Sequence, residues 1–146
     1  MEYIEIKGLP DKAALKAYKK GNFVEAIQIV HSWTENQAQQ LVMLVGAVHF
    51  NADTSQTWDL TDTFSLNECL RILFILNQIT KAEYSKFIEL NKLRNKIVHQ
   101  IYKESYNGEQ KKVTKKLFDK VFNNSLDQIY FFTNKSSEII EIPIKN

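Results

Sequence analysis

The side chains best able to do chemistry lie in one short run, Leu93-Arg94-Asn95-Lys96-Ile97-Val98-His99. It sets an arginine and a histidine five positions apart in a segment patterned as a long amphipathic helix. Arg71 and Arg94 are the only arginines, all other side-chain cations being lysines, and arginine is the better bidentate ligand for phosphate. Metal chemistry finds no support, because His31, His49 and His99 lie far apart and none has a second ligand at zinc-like spacing. A nucleotide cofactor finds none either: four glycines make no phosphate-cradling loop. No cofactor is expected.

Helical periodicity of about 100° per residue says where these groups point. Leu90, Leu93, Ile97 and Ile101 follow a three-four-four spacing and mark the buried stripe. Measured from Ile97, His99 lies about 200° round, Asn95 about 160° and Arg94 about 60°. Asn95 and His99 are then outward-facing i,i+4 neighbours, with Tyr102 one turn further on and Arg94 at the shoulder of the stripe. A lone histidine is usually a satisfied core residue, and the periodicity disfavours that here. Two readings stay open: a solvated surface histidine, or one at a site or subunit interface.

The elements that must position this run can be read in order. Ile4-Glu5-Ile6 alternates like a short strand, and Asp11 is a plausible N-cap for a helix over 12–20 that stops at Gly21. Asn22 and Glu25 resemble a capping box, and Phe23, Ile27, Val30, Trp33, Leu41, Val45 and Val48 carry a long helix to about His49. Residues 51–63 are polar and turn-like. Ser65-Leu66-Asn67-Glu68 opens an apolar helix to about Gln78, and Thr80-Lys81-Ala82-Glu83 opens the next, running to about Ser105. So short a connection makes an antiparallel hairpin. After the turn Tyr106-Asn107-Gly108, a last helix spans about 109–133, and Ile139 to Ile144 alternates again, confined by Pro143 to an edge strand at most. The expectation is an all-α, antiparallel four- to five-helix bundle, with a short β ribbon from the two termini.

Whole-chain quantities bound the rest. At 146 residues, 44% hydrophobic and 25% charged, this is one ordinary globular domain, 1–146, with a real core. A net charge of +2 makes no bulk case for nucleic acid. Cys69 is the single cysteine, which fits a reducing compartment, and no signal peptide or membrane-spanning apolar run is seen. A cytoplasmic protein with no membrane association is expected.

The Arg94-Asn95…His99 run, on the second helix of an apolar capped hairpin, resembles the signature of the HEPN domain superfamily: R, four to six residues, then H, often with a polar residue after the arginine. The resemblance extends over about 23–133. The hairpin over 64–102 also resembles the MtlR-type mannitol operon regulators. The HEPN likeness implies a homodimer that joins two motifs, and a metal-independent endoribonuclease of toxin–antitoxin or defence systems, with a cognate antitoxin protein as a further partner. It implies RNA cleavage to 2′,3′-cyclic phosphate and 5′-hydroxyl ends. His99 would move the proton of the 2′-hydroxyl, Arg94 would hold the phosphate, and Asn95 would orient His99 or bond the phosphate. Tyr102, Lys96 and Lys103 would contact substrate. One toxin branch carries a modifiable tyrosine two residues after the histidine. Here that position is Ile101 and the tyrosine is Tyr102, so the resemblance does not carry that regulation over. The alternative is a non-catalytic HEPN- or MtlR-like regulator, or an RNA- or protein-binding module.

Other features have two readings each. Lys111, Lys112, Lys115, Lys116 and Lys120 form either a solvated helix face, the favoured reading, or an RNA backbone track. Trp33, Trp58 and Phe131-Phe132 suit packing before base stacking, with Trp58 the exposed candidate. Arg71 is read as a structural ion-pair partner of a carboxylate such as Glu68, and Cys69 as inert packing.

Overall fold

The structure, a computed structural model, describes residues 1–4, 8–100 and 113–141. Among them lie seven helices and no strand: α1 Pro10–Lys19, α2 Phe23–His49, α3 Thr54–Thr61, α4 Leu66–Ile75, α5 Lys81–Gln100, α6 Lys115–Asp127 and α7 Phe131–Ile140. The all-α class holds. The terminal ribbon does not appear among the described residues: Ile139 and Ile140 belong to α7, because Phe132, Ser136 and Ile139 recur at helical spacing and are buried. Ile4 is described, in no strand, and residues 142–146 lie outside the described ones.

The long helix α2 is the hub, packing on α1, α3, α4, α5, α6 and α7. Ile27, Val30, Thr34, Ala38, Leu41 and Val45 make its buried stripe at spacings of three and four. On one side α1 reaches it through two buried alanines, Ala14 and Ala17. Pro10, not Asp11, opens α1; its missing N–H is lost where the helix has no acceptor anyway, and Asp11 sits in the first turn, where its charge favours the dipole. Gly21 (φ 78°) ends α1 in a Schellman motif, its N–H bonding Tyr18 C=O and that of Asn22 bonding Ala17 C=O, both at 2.9 Å.

The α4–α5 hairpin, which also packs on α2, is anchored by its caps. Ser65 Oγ accepts from Glu68 N–H at 3.2 Å, and the N–H of Leu66 is taken by Glu35 Oε2 of α2 at 2.9 Å. At α5 the box is reciprocal: Thr80 N–H donates to Glu83 Oε1 (2.8 Å) and Glu83 N–H to Thr80 Oγ1 (3.2 Å). α4 stops at Ile75, short of Gln78, because Asn77 turns left-handed (φ 56°) and closes a second Schellman motif on Phe74 and Leu73 carbonyls.

Two regions differ from the sequence reading for tertiary reasons. The stretch read as a turn contains α3, because Asp53 acts as an N-cap rather than a breaker, accepting from Gln56 N–H at 2.8 Å. The helix read over 109–133 starts, among the described residues, at Thr114, which caps Leu117 N–H, and breaks at Gln128–Tyr130 into α6 and α7. The break buries Ile129 and frees its carbonyl, which Trp33 Nε1 of α2 takes at 3.0 Å. A cluster of Tyr18, Phe23, Phe118 and Phe122 ties α1 and α2 to α6, with Tyr18–Phe122 centroids 5.0 Å apart.

Candidate functional site

Leu90, Leu93 and Ile97 are buried, as the α5 stripe requires, and His99 is exposed. Arg94 is half-buried on the α2 side. Its Nε donates to Gln28 Oε1 of α2 at 3.1 Å and its Nη1 to Asn95 Oδ1 at 3.0 Å. These bonds fix the guanidinium plane and leave Nη2 with no hydrogen bond to a described residue. Asn95 thus turns its oxygen to Arg94, and no hydrogen bond among the described residues joins Asn95 to His99.

Five residues along a helix amount to about 140° and 7.5 Å, so Arg94 and His99 diverge from one α5 instead of converging. Asn95 lies between them, about 40° from His99. Tyr102 and Lys103 lie outside the described residues. Lys96 is half-buried, on the side of α5 that meets α6.

Arg94 belongs to a polar seam that the sequence reading missed. On α2, Gln28, His31 and Glu35 recur at three and four; on α5, Arg94 and Asn95 lie three and four residues after Asn91. His31 is 3% exposed, and its Nε2 lies 3.0 Å from Asn91 Oδ1. With that oxygen accepting, Nε2 carries the proton. Burial first, and the Arg94 charge after it, hold the His31 pKa below its ordinary value, against the opposing pull of the Asn91 hydrogen bond and Glu35. His31 is therefore a neutral donor at neutral pH. The signal was present in the sequence as a second, polar stripe along an apolar helix. What could not be seen was which helix would face it.

The remaining candidates sort plainly. Cys69 is fully buried and its thiol is pushed up to about 12, by desolvation and then by the charges of Glu35 and Glu68, so it holds its proton at neutral pH. Arg71 is exposed and forms no ion pair with a described residue, so the expected pairing with Glu68 is not seen among them. Of the lysine run, Lys115 is committed to Asp119 Oδ2 (2.7 Å) and Tyr18 Oη (3.0 Å), whereas Lys116 and Lys120 are exposed; Lys111 and Lys112 lie outside the described residues. Trp58 is exposed, and Trp33 is half-buried against Tyr130. No three His, Cys, Asp or Glu side chains among the described residues cluster in a way that could hold a metal. No helix among them is long and apolar enough to cross a membrane.

Compared with protein-family models, with curated proteins and with solved structures, the chain finds no match.

Proposed function

We propose that the chain is a HEPN-type, metal-independent endoribonuclease that acts as a homodimer, with a composite site built from the Arg94–His99 segments of two protomers. The observation that carries this reading is the state of Arg94: an arginine held in plane by Gln28 and Asn95, half-buried, with Nη2 turned to no described partner. A guanidinium so restrained is suited to a phosphate that arrives from outside the protomer. The divergence of Arg94 and His99 on one helix favours the dimer, since the His99 of one protomer can then meet the Arg94 of the other.

In this reading His99 removes the proton of an RNA 2′-hydroxyl, whose oxygen attacks the adjacent phosphorus. The bond to the 5′-oxygen breaks, and that oxygen takes a proton from a second imidazole or from water. Arg94 neutralises charge growing on the non-bridging oxygens. The products are a 2′,3′-cyclic phosphate and a 5′-hydroxyl. A dedicated protein antagonist, of the antitoxin kind, would act by covering the site.

The test is incubation with RNA in excess chelator, with the oligomer mass measured in parallel. Wild type should cleave as a dimer; His99→Ala should lose about 10²–10⁴-fold and Arg94→Ala about 10²–10³-fold in rate. The same two hydrogen bonds favour a second reading, in which Arg94 is only a clamp between α2 and α5 of a non-catalytic regulator. In that case Arg94→Ala would destabilise the fold and no RNA would be cleaved by any variant.

A further inference from the structure

Beside the motif, α5 and α6 enclose a groove of about 220 Å³ lined by Glu89, Lys92, Leu93 and Lys96 of α5 and Leu117, Lys120 and Val121 of α6. Among the described residues, three ammonium groups face one carboxylate there. On α5, Lys92, Lys96 and His99 follow one another at i, i+4 and i+7, within about 60° of arc, at steps of about 6 and 4.5 Å along the axis. The cations therefore form a line that ends at His99.

The floor decides what kind of ligand this line suits. Leu93 and Val121 are each 4% exposed, already buried within the chain, so the apolar surface of the groove is that of Leu117, at 40%, and of the lysine stems. An amphipathic peptide would find little to bury, so charge is the main attraction on offer. Among the described residues no aromatic ring lines the groove, so none of them stacks on a base. A repeated anion with its bases turned outward fits both facts.

We propose that the α5–α6 groove holds the sugar–phosphate backbone of single-stranded RNA on Lys92, Lys96 and Lys120 and leads it, without regard to base sequence, to the His99 end of α5. The direction of travel rests on the ribonuclease reading; the groove as a polyanion site does not. Binding of a fluorescein-labelled oligouridylate, followed by anisotropy with the intact chain, tests it. Three phosphate contacts give a slope of about −2 in log affinity against log salt, a loss of roughly 20-fold between about 50 and 200 mM. The triple variant Lys92→Ala/Lys96→Ala/Lys120→Ala should lose most of that slope while keeping its circular dichroism. A control of equal charge, Lys12→Ala/Lys16→Ala/Lys19→Ala on α1, should bind like wild type.

If both triples weaken binding alike, or neither does, or wild type does not bind the probe, the groove assignment is overturned. Displacement of the RNA by an oligoglutamate peptide at equal concentration would overturn it in favour of an acidic protein partner. His99→Ala separates the two ideas: it should bind as tightly as wild type and not cleave. Groove-dependent binding by a wild type that cleaves no RNA would sink the ribonuclease reading and leave the groove standing.

Discussion

Protonating His31, itself buried, would put a second cation beside Arg94, with Glu35 the acid that counters it. The folded-state pKa lies below 6.5, so as pH falls through 6.5 the unfolded chain takes up a proton that the folded chain refuses. Stability from this residue is thus full above 6.5 and is lost progressively as pH falls towards the folded-state value. Denaturation midpoints measured across that range should fall for wild type and flatten for His31→Gln, which keeps a donor for Asn91. An equal slope in both would remove His31 as the cause. At this scale the sequence told direction but not company: the outward placement of His99 follows from counting residues, whereas the pairing of Gln28 with Arg94 needs two helices to be set face to face.

Helix ends were legible where a side chain caps its own helix. Ser65 and Thr80 announce α4 and α5 because the cap and its acid are three residues apart. They were misread where one residue type has two uses, as at Asp53, or where the cause lies elsewhere in the chain. The break between α6 and α7 contains neither glycine nor proline; Trp33 on α2 and Asp11 on α1, which accepts from Tyr130 Oη at 3.0 Å, hold it from a distance. Asn77 offers the sharpest test of an element. Its left-handed backbone costs a residue with an ordinary Cβ about 1–2 kcal/mol, so Asn77→Ala should lower the unfolding free energy by about that much, and Asn77→Gly should leave it level or slightly higher. Urea titration of the three proteins checks the order. An alanine variant as stable as wild type would mean that the α4–α5 connection does not depend on this turn.

For the molecule as a whole, the all-helical class and the α4–α5 hairpin follow from periodicity and caps, and the hub role of α2 follows from neither, since it depends on six partners at once. The bond from Trp33 to the Ile129 carbonyl adds something of a different kind. The chain has two tryptophans, and the other, Trp58, sits exposed on α3. Replacing Trp58 with phenylalanine leaves a single indole whose ring lies against Tyr130 and whose N–H is tied to the α6–α7 corner. Its emission should shift to the red when that corner undocks, even while far-ultraviolet dichroism still reports intact helices. A red shift that instead coincides with the loss of helix under every condition would mean that the corner never leaves the rest. The protein thus carries its own optical gauge of whether its α6–α7 corner is seated, readable in a cuvette without a label.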